Sequence, residues 1–198
     1  MELVLQLRKS ISYFNVFYKL SSRLFAKEGY SIALIARGAN ELEKLEEEIN
    51  SSGGTAASFP IQSYSATDVA NTFASIRSHF PSSTHSLRVA LYNAAAGVWK
   101  PFLQITPQDV ATVTQTNIEG AFAFAHEVIS VFKENDIDET TGKRGAFIIT
   151  GATASVRGNT TTSAFAAGKH ALRGLSQSLA KEFGKDNIHV SVSLRDPN

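Results

Sequence analysis

Short apolar segments alternate with longer segments of helical periodicity along most of the chain. The segment YSIALIA (30–36) has the continuous apolar character of a buried strand, and the charged segment ANELEKLEEEIN (39–50) that follows places its leucines on one helix face. Further strands are predicted in GTAASFPI, LRVALYN, AFIIT and HVSVSL, and further helices at 66–80, 106–132 and 163–184. This alternation predicts an α/β fold with a doubly wound parallel sheet, Rossmann-like, in a three-layer α/β/α arrangement.

The segment around Asn117 is predicted to be one long helix. Thr106 is a good N-cap residue, Pro107 suits the first helical position, and Asp109 places an acidic side chain in the first turn. From this start the helical pattern continues to about Phe132. We therefore expect Asn117 to lie in the interior of a helix.

Residues 1–19 show no such clear pattern, and we expect them to be a divergent N-terminal segment of a single domain that spans residues 1–198. The opening run MELVLQLRKSISYFNVFYKL is interrupted by Arg8 and Lys9, and no small-residue cleavage site follows an unbroken apolar stretch. We therefore expect neither a signal peptide nor a membrane span. We also expect the protein to be cytoplasmic.

Composition narrows the classes of function. The chain has 198 residues, of which 43% are hydrophobic and 19% are charged, as is usual for globular proteins. A net charge of +1 gives no global attraction to nucleic acid or to an anionic membrane surface. The absence of cysteine excludes disulfides and thiolate ligands, and the five histidines lack the spacing of metal ligands, so we expect no metal site.

Candidate binding residues stand where the predicted strands end, because ligands of doubly wound sheets bind beyond the carboxyl ends of the strands. Arg37, Asn93 and Thr150 hold such positions. In the last predicted helix, Phe165 and Lys169 are four residues apart and therefore share a helix face. The plain structural alternatives are a solvent-facing arginine for Arg37, a turn-stabilising residue for Asn93, and an exposed lysine on an amphipathic helix for Lys169.

Four short segments occur in an order and spacing that are specific only when taken together. They are LYNAAAG (91–97), TNIEGAF (116–122), ITGATASVRG (149–158) and FAAGK (165–169). With them, residues 20–196 resemble the short-chain dehydrogenase/reductase family, whose members hold a nicotinamide dinucleotide in a Rossmann-type domain. The first segment resembles the family's Asn-Asn-Ala-Gly stretch and the second a part of its long fifth helix. The last two segments are separated by the distance that the family has between its active serine and its Tyr-x-x-x-Lys pair.

The resemblance implies roles for individual residues. Lys169 would hold the nicotinamide ribose, and Asn117 would help to maintain the proton relay, although an ordinary polar residue in a helix is the alternative for Asn117. Arg37 stands where an acidic residue would accept the ribose hydroxyls of NAD, so an arginine there favours the 2′-phosphate of NADP. The remaining expected cofactor contacts lie at the ends of strands: Asn93, Ala94, Ala95 and Thr150.

Several departures from the family pattern bear on the chemistry. Ala152 stands where the family has its active serine, and Phe165 stands where it has the tyrosine that carries the proton. No glycine occurs before Gly29, so the glycine-rich turn expected between the first strand and the first helix is missing. The sequence also ends just after HVSVSL, which stands where the family has its sixth strand, and we expect the fold to be incomplete at both the N- and C-termini.

The resemblance implies an NAD(P)(H)-dependent oxidoreductase, with NADP(H) favoured, that acts on a small carbonyl or alcohol with impaired or atypical catalysis. Phenylalanine has no proton to give, so turnover would depend on water, Ser155 or Thr153. The alternatives are a non-catalytic protein that keeps the fold for binding or regulation, and a truncated non-functional product. Because the family assembles through its fifth helix and the helix that carries the lysine, a homodimer or homotetramer is expected, with no nucleic acid or membrane partner.

Overall fold

The computed structural model describes residues 1–8 and 15–194. Its strands are β1 (Glu2–Arg8), β2 (Ser31–Ala36), β3 (Thr55–Pro60), β4 (Ser86–Asn93), β5 (Gly145–Thr150) and β6 (Ile188–Ser193). Its α-helices are α1 (Asn15–Lys27), α2 (Ala39–Ser51), α3 (Ala66–His79), α4 (Pro107–Thr114), α5 (Gly120–Glu134) and α6 (Ser163–Phe183).

The strands form a six-stranded parallel sheet in the order β3-β2-β1-β4-β5-β6. Chain order runs outward from β1 to β3 on one side and from β4 to β6 on the other. The direction of winding therefore reverses between β1 and β4, which is where doubly wound sheets bind their ligands. The predicted Rossmann-like α/β fold is confirmed.

Helices cover both faces of this sheet. Successive residues of β2 alternate between two hydrophobic clusters, with Ala33 and Ile35 in one and Ile32 and Leu34 in the other, as expected for opposite faces of a strand. The first cluster includes the apolar residues of α3, α5 and α6, and the second includes those of α1 and α2. The three-layer arrangement follows from this distribution.

The opening segment differs from its sequence-based description, because residues 2–8 form β1 at the centre of the sheet. This strand pairs in parallel with β2 on one side and β4 on the other, and the side chains of Leu3 and Val4 are buried. Gln6 and Arg8 interrupt the apolar run, which is why the pattern alone did not identify a central strand. Residues 9–14, where the missing glycine-rich turn was expected, lie outside the described residues.

The long helix predicted from Thr106 to Phe132 begins as expected but is not regular throughout. Thr106 and Asp109 form a reciprocal capping box at the start of α4. A π-helical turn, Gln115–Glu119, then separates α4 from α5. Such turns insert an extra residue into a helix and are frequent at functional sites. Asn117 lies at the centre of this π-turn.

Candidate functional site

The carboxyl edge of the sheet brings several sequence-predicted site residues to one end of the molecule. β2 ends directly before Arg37, β4 ends at Asn93, and β5 ends at Thr150. In a parallel sheet these strand ends lie along the same edge, because all strands run in the same direction. The segments that leave β4 and β5 lead to the π-turn and to α6, which carry the other predicted residues.

Lys169 is fully buried in the middle of α6. Its Nζ donates a hydrogen bond of 2.7 Å to the carbonyl oxygen of Thr150, at the end of β5. Burial lowers the pKa of Lys169 from 10.5 to about 7, because the charged ammonium loses its contact with water. Lys169 is therefore not the exposed lysine of an amphipathic helix, and a substantial fraction of it is neutral near pH 7.

The side chain of Thr150 adds a second polar group beside this lysine. Thr150 is 4% exposed, and its Oγ1 has no hydrogen-bond partner within residues 1–8 and 15–194. A buried hydroxyl left without a partner costs about 1–3 kcal/mol. A polar ligand that reached this strand end could supply the missing hydrogen bond.

Phe165 lies one turn before Lys169 and contributes an aromatic ring instead of a hydroxyl group. The ring is 7% exposed, and its centroid is 6.0 Å from Nζ of Lys169. It also packs against the indole of Trp99, with ring centroids 5.0 Å apart. Phe165 therefore lines the region near the lysine but offers no proton to it.

Asn117 connects the π-turn to both the end of β4 and α6. Its Oδ1 accepts a hydrogen bond of 2.7 Å from the backbone N–H of Ala96, and its Nδ2 donates one of 3.4 Å to the Ala96 carbonyl. Gly168 packs against the same amide, since a Cβ at position 168 would lie 2.3 Å from Asn117 Nδ2. The residue directly before Lys169 must therefore be small for α6 to approach the π-turn.

Tyr92 has a structural role that the sequence analysis did not identify. Its buried hydroxyl donates a hydrogen bond to the backbone carbonyl of Thr116, inside the π-turn and next to Asn117. Burial raises the pKa of Tyr92 well above its ordinary value, so the hydroxyl keeps its proton. Gly120 gives Tyr92 room, because a Cβ there would lie 3.1 Å from the tyrosine oxygen. The sequence LYNAAAG contains no signal for this contact, which depends on a turn that lies elsewhere in the chain.

Ala152 and Ser155 lie in the turn that follows β5. The backbone N–H of Ala152 donates a 3.1 Å hydrogen bond to Oγ of Ser155, which is fully buried. Ser155 thus stabilises its own 3₁₀ turn, Thr153–Ser155. The geometry gives no support to Ser155 as a substitute proton donor, and Ala152 has no functional group to contribute.

The residues at the end of β4 are also enclosed. Asn93, Ala94 and Ala95 are 3%, 1% and 6% exposed. Enclosure of this kind suits a residue that holds the turn after the strand. A direct contact of Asn93 with a ligand, predicted from the resemblance, stays a prediction.

Arg37 differs from these residues because it is exposed at the end of β2. Its guanidinium carbon lies 5.4 Å from the ring centroid of Tyr64, which is itself buried. A cation over an aromatic face gains about 0.5–1 kcal/mol at an exposed site. This contact favours one position of the guanidinium while leaving it accessible to an anionic ligand.

The loop between β4 and α4 is braced on both sides. The backbone N–H of Lys100 donates a 3.0 Å hydrogen bond to the carbonyl of Thr161, in the loop before α6. The side chain of Lys100 forms a 2.7 Å ion pair with Asp109. Hydrogen bonds from Lys100 and from Thr106 lower the pKa of Asp109 to about 2. Trp99, the neighbour of Lys100, is thereby held close to α6.

The described residues contain neither a metal-binding cluster nor a membrane-spanning helix. Within them, no three or more histidine, aspartate or glutamate side chains cluster in a way that could hold a metal ion. None of the helices in the described ranges combines the length and apolar character needed to cross a lipid bilayer.

The sheet order and the helices on both of its faces define a Rossmann-type α/β domain. A family model of short chain dehydrogenases matches residues 19–194. The chain therefore belongs to the short-chain dehydrogenase family.

The individual relatives have low sequence identity to this chain. A 3-oxoacyl-[acyl-carrier-protein] reductase of Bos taurus is 27% identical over 173 residues, which make up 86% of this chain and 66% of the reductase. The chain thus spans slightly less than two thirds of that relative's length. A short-chain dehydrogenase from Rhodopseudomonas palustris superposes with a TM-score of 0.81 at 26% identity, over 97% of this chain and 84% of the other.

An NAD⁺-bound xylitol dehydrogenase superposes with a TM-score of 0.83 at 23% identity, over 98% of this chain and 69% of that one. At this identity the likeness concerns the fold.

Proposed function

We propose that this chain is an NADP(H)-dependent oxidoreductase that acts on a small carbonyl or alcohol with atypical catalysis, and that residues 1–198 work as one domain. The observation that carries the proposal is the buried pair formed by Lys169 and Thr150. Burying a lysine opposes folding because the charged form is desolvated. Ionisable groups with strongly perturbed pKa values cluster at functional sites, and Lys169 is bonded to a residue with an unsatisfied hydroxyl at the carboxyl edge of the sheet.

The groups present fit a nicotinamide dinucleotide. The amine of Lys169 and the hydroxyl of Thr150 would hold the hydroxyl groups of the nicotinamide ribose, which can both donate and accept hydrogen bonds. When bound, the dinucleotide supplies or accepts a hydride at its nicotinamide ring. Asn117 would keep Lys169 in place through its contact with Gly168, and would help to maintain the proton relay.

The preference for NADP(H) rests on Arg37. An arginine matches the charge and geometry of a 2′-phosphate, whereas NAD sites use an acidic residue at this place. The exposed guanidinium above Tyr64 is accessible to such a phosphate. Asn93, Ala94 and Ala95 would complete the site from the end of β4, on the adenosine ribose side.

The proposed site lacks an evident general acid for proton transfer. A positioned general acid accelerates such reactions by about a hundredfold to ten-thousandfold. Phe165 and Ala152 cannot act as one, and Lys169 donates to a backbone carbonyl. Reduction of an ordinary ketone should therefore be slow.

This same observation favours a second candidate, a non-catalytic member of the fold that binds a dinucleotide or a partner without turnover. The two candidates agree on the architecture of the site and differ in the chemistry. Robust turnover that is abolished by Lys169→Met would rule out the non-catalytic candidate.

Cofactor binding is the first experiment. Trp99 is the only tryptophan, so its emission reports on one place in the protein. NADPH and NADH are titrated against the wild-type chain, Lys169→Met and Arg37→Gln, and the loss of emission is followed to saturation. The proposal expects saturable binding of NADPH that weakens in both variants. An absence of binding at millimolar NADPH would refute it.

We also propose that the protein assembles into a homodimer or homotetramer. Phe122 on α5 is 58% exposed, which leaves a large apolar side chain on the helix that the family uses for assembly. Light scattering combined with size-exclusion chromatography measures the mass directly. A strict monomer at high micromolar concentration would contradict this proposal.

A further inference from the structure

Trp99 and Phe165 form an aromatic surface beside the buried lysine. Their ring centroids are 5.0 Å apart and their planes are inclined by 40°. Phe165 is buried, whereas Trp99 is 52% exposed. Gly97 lies beneath the indole, because a Cβ at that position would be 2.1 Å from an indole carbon. The indole is therefore supported from below and from one side and remains half open to solvent.

The protein holds this surface in place before any ligand arrives. Lys100, the next residue after Trp99, is joined through its backbone to Thr161 and through its side chain to Asp109. These contacts tie the loop of Trp99 to the segment before α6 and to the start of α4. A preorganised surface binds a planar ligand with less loss of conformational entropy than a mobile loop would.

The chemistry around the surface restricts which carbonyl compounds can react well. Hydride addition to a saturated ketone leaves the negative charge on one alkoxide oxygen, which is strongly basic and requires an acid within hydrogen-bond reach. Phe165 and Ala152 provide none. Hydride addition to a conjugated carbonyl leaves an enolate or a phenolate, in which the charge is delocalised and the oxygen is much less basic. Such an anion can leave the site and take its proton from water.

We propose that the substrates of this site are planar conjugated carbonyl compounds, quinones and related enones, which stack on the half-exposed indole of Trp99 where it packs against Phe165. The inference rests on the proposed oxidoreductase function and names its substrate class. Aromatic contacts of this kind strengthen binding beyond the effect of the apolar area they bury.

The reaction balances with a reduced nicotinamide dinucleotide as the co-reactant. The C4–H bond of the dihydronicotinamide breaks, and its hydride forms a C–H bond at the β-carbon of the conjugated carbonyl. The carbon–carbon double bond moves toward the carbonyl, and the electron pair of the C=O bond becomes the enolate oxyanion. For a quinone, the enolate tautomerises to the aromatic hydroquinone anion, which takes a proton from water. The dinucleotide is oxidised and the substrate is reduced by two electrons.

Lys169 supports this chemistry electrostatically. Its Nζ lies 6.0 Å from the centre of the Phe165 ring, so an anion that forms beside this ring would be attracted by the positive form of Lys169. Because burial brings the pKa of Lys169 to about 7, that positive form is populated near neutral pH and declines above it. Quinone reduction should therefore fall as the pH rises through 7.

The test compares 1,4-naphthoquinone with 1-tetralone, two bicyclic carbonyl compounds of similar size. The first gives a stabilised anion on hydride addition and the second gives an alkoxide. With NADPH and the intact chain, kcat/KM is expected to be at least about a hundredfold higher for the naphthoquinone, the lower value of a general acid. The rate of the reaction without protein is subtracted. Equal values, or a preference for 1-tetralone, would overturn the inference.

Variants of Trp99 and Phe165 separate the contribution of aromatic stacking from that of proton donation. Trp99→Leu is expected to raise KM for the naphthoquinone about threefold to tenfold with little change in kcat, and Trp99→Phe to retain most of the affinity. Phe165→Tyr restores a proton donor, so it should raise the rate with 1-tetralone by at least about tenfold and thereby reduce the ratio of kcat/KM between the naphthoquinone and 1-tetralone. If Phe165→Tyr does not fold, the ratio of kcat/KM for the two substrates in the wild-type protein still tests the inference.

Binding of the naphthoquinone can also be measured without turnover, from the emission of Trp99. Naphthoquinone added in the presence of NADP⁺ should quench the emission of Trp99 in a saturable way, after correction for its absorbance. Unquenched emission at concentrations above KM would overturn the stacking contact. If NADPH itself does not bind, the proposed oxidoreductase function fails together with the inference. If NADPH binds but 1-tetralone is preferred, only the inference fails.

Discussion

The pKa of the buried Lys169 predicts how the stability of the protein changes with pH. The pKa is 10.5 for an exposed lysine and about 7 in the folded protein, because burial disfavours the ammonium. Between these two values the unfolded chain binds a proton that the folded chain does not. The free energy of unfolding should therefore rise with pH from about pH 7 by about 1.4 kcal/mol per pH unit.

The whole contribution follows from the same two values. A fall in pKa from 10.5 to about 7 corresponds to about 5 kcal/mol, which is lost from the folded state below pH 7, where both states are protonated. This is a large part of the total stability of a domain, which is about 5–15 kcal/mol. Lys169→Met removes the titrating group and keeps a flexible side chain of similar length. The variant also loses the hydrogen bond to Thr150, which contributes about 0.5–1.5 kcal/mol.

Urea unfolding, followed by the emission of Trp99, measures the free energy of unfolding and so tests this prediction. Wild type and Lys169→Met are compared from about pH 6 to about pH 9.5. Titrations of other groups cancel in the difference between the two curves. The variant is expected to be more stable at pH 6, and the difference should shrink by about 2 kcal/mol between pH 7.5 and pH 9. A difference that stays constant within about 0.5 kcal/mol would refute the lowered pKa of Lys169.

Three further substitutions test separate parts of the structure. Arg37→Gln should weaken binding of NADPH about tenfold or more and leave NADH nearly unchanged, as measured by titration; equal losses for both dinucleotides would contradict the role of Arg37. Gly168→Ala should destabilise the fold by about 1–3 kcal/mol in urea unfolding, because its Cβ would overlap the amide of Asn117, and an unchanged midpoint would show that α6 can move away. Tyr92→Phe should cost about 1–3 kcal/mol by leaving the Thr116 carbonyl without its hydroxyl donor, and a loss below about 0.5 kcal/mol would show that the π-turn does not depend on it.

The periodicity of the sequence predicted most of the elements, because apolar runs of strand length and helical repeats reflect which faces are buried. It did not identify β1, since Gln6 and Arg8 break the run of a strand that is nevertheless paired on both sides. It also predicted a regular helix across Asn117. The π-turn is accompanied by close packing at Gly120 and by a hydrogen bond from the hydroxyl of Tyr92, and both are tertiary contacts that no local pattern contains.

The site was partly accessible from the sequence. Spacing placed Lys169 on the correct helix, but it could not show that the amine is buried against the Thr150 carbonyl with a pKa of about 7. The aromatic surface was missed altogether, because Trp99 and Phe165 are far apart in the chain and meet only when two loops are joined through Lys100. A lone tryptophan two residues after a glycine, in the segment after β4, was the available signal.

We propose that a nicotinamide dinucleotide binds at the carboxyl edge of the sheet, beside Lys169, Thr150 and Arg37. A crystal structure of the protein with NADPH is the decisive measurement. We expect ribose hydroxyls within hydrogen-bond distance of Lys169 Nζ and Thr150 Oγ1, and the 2′-phosphate against the guanidinium of Arg37. NADPH bound elsewhere, or a Thr150 hydroxyl that stays without a partner beside a bound NADPH, would contradict it.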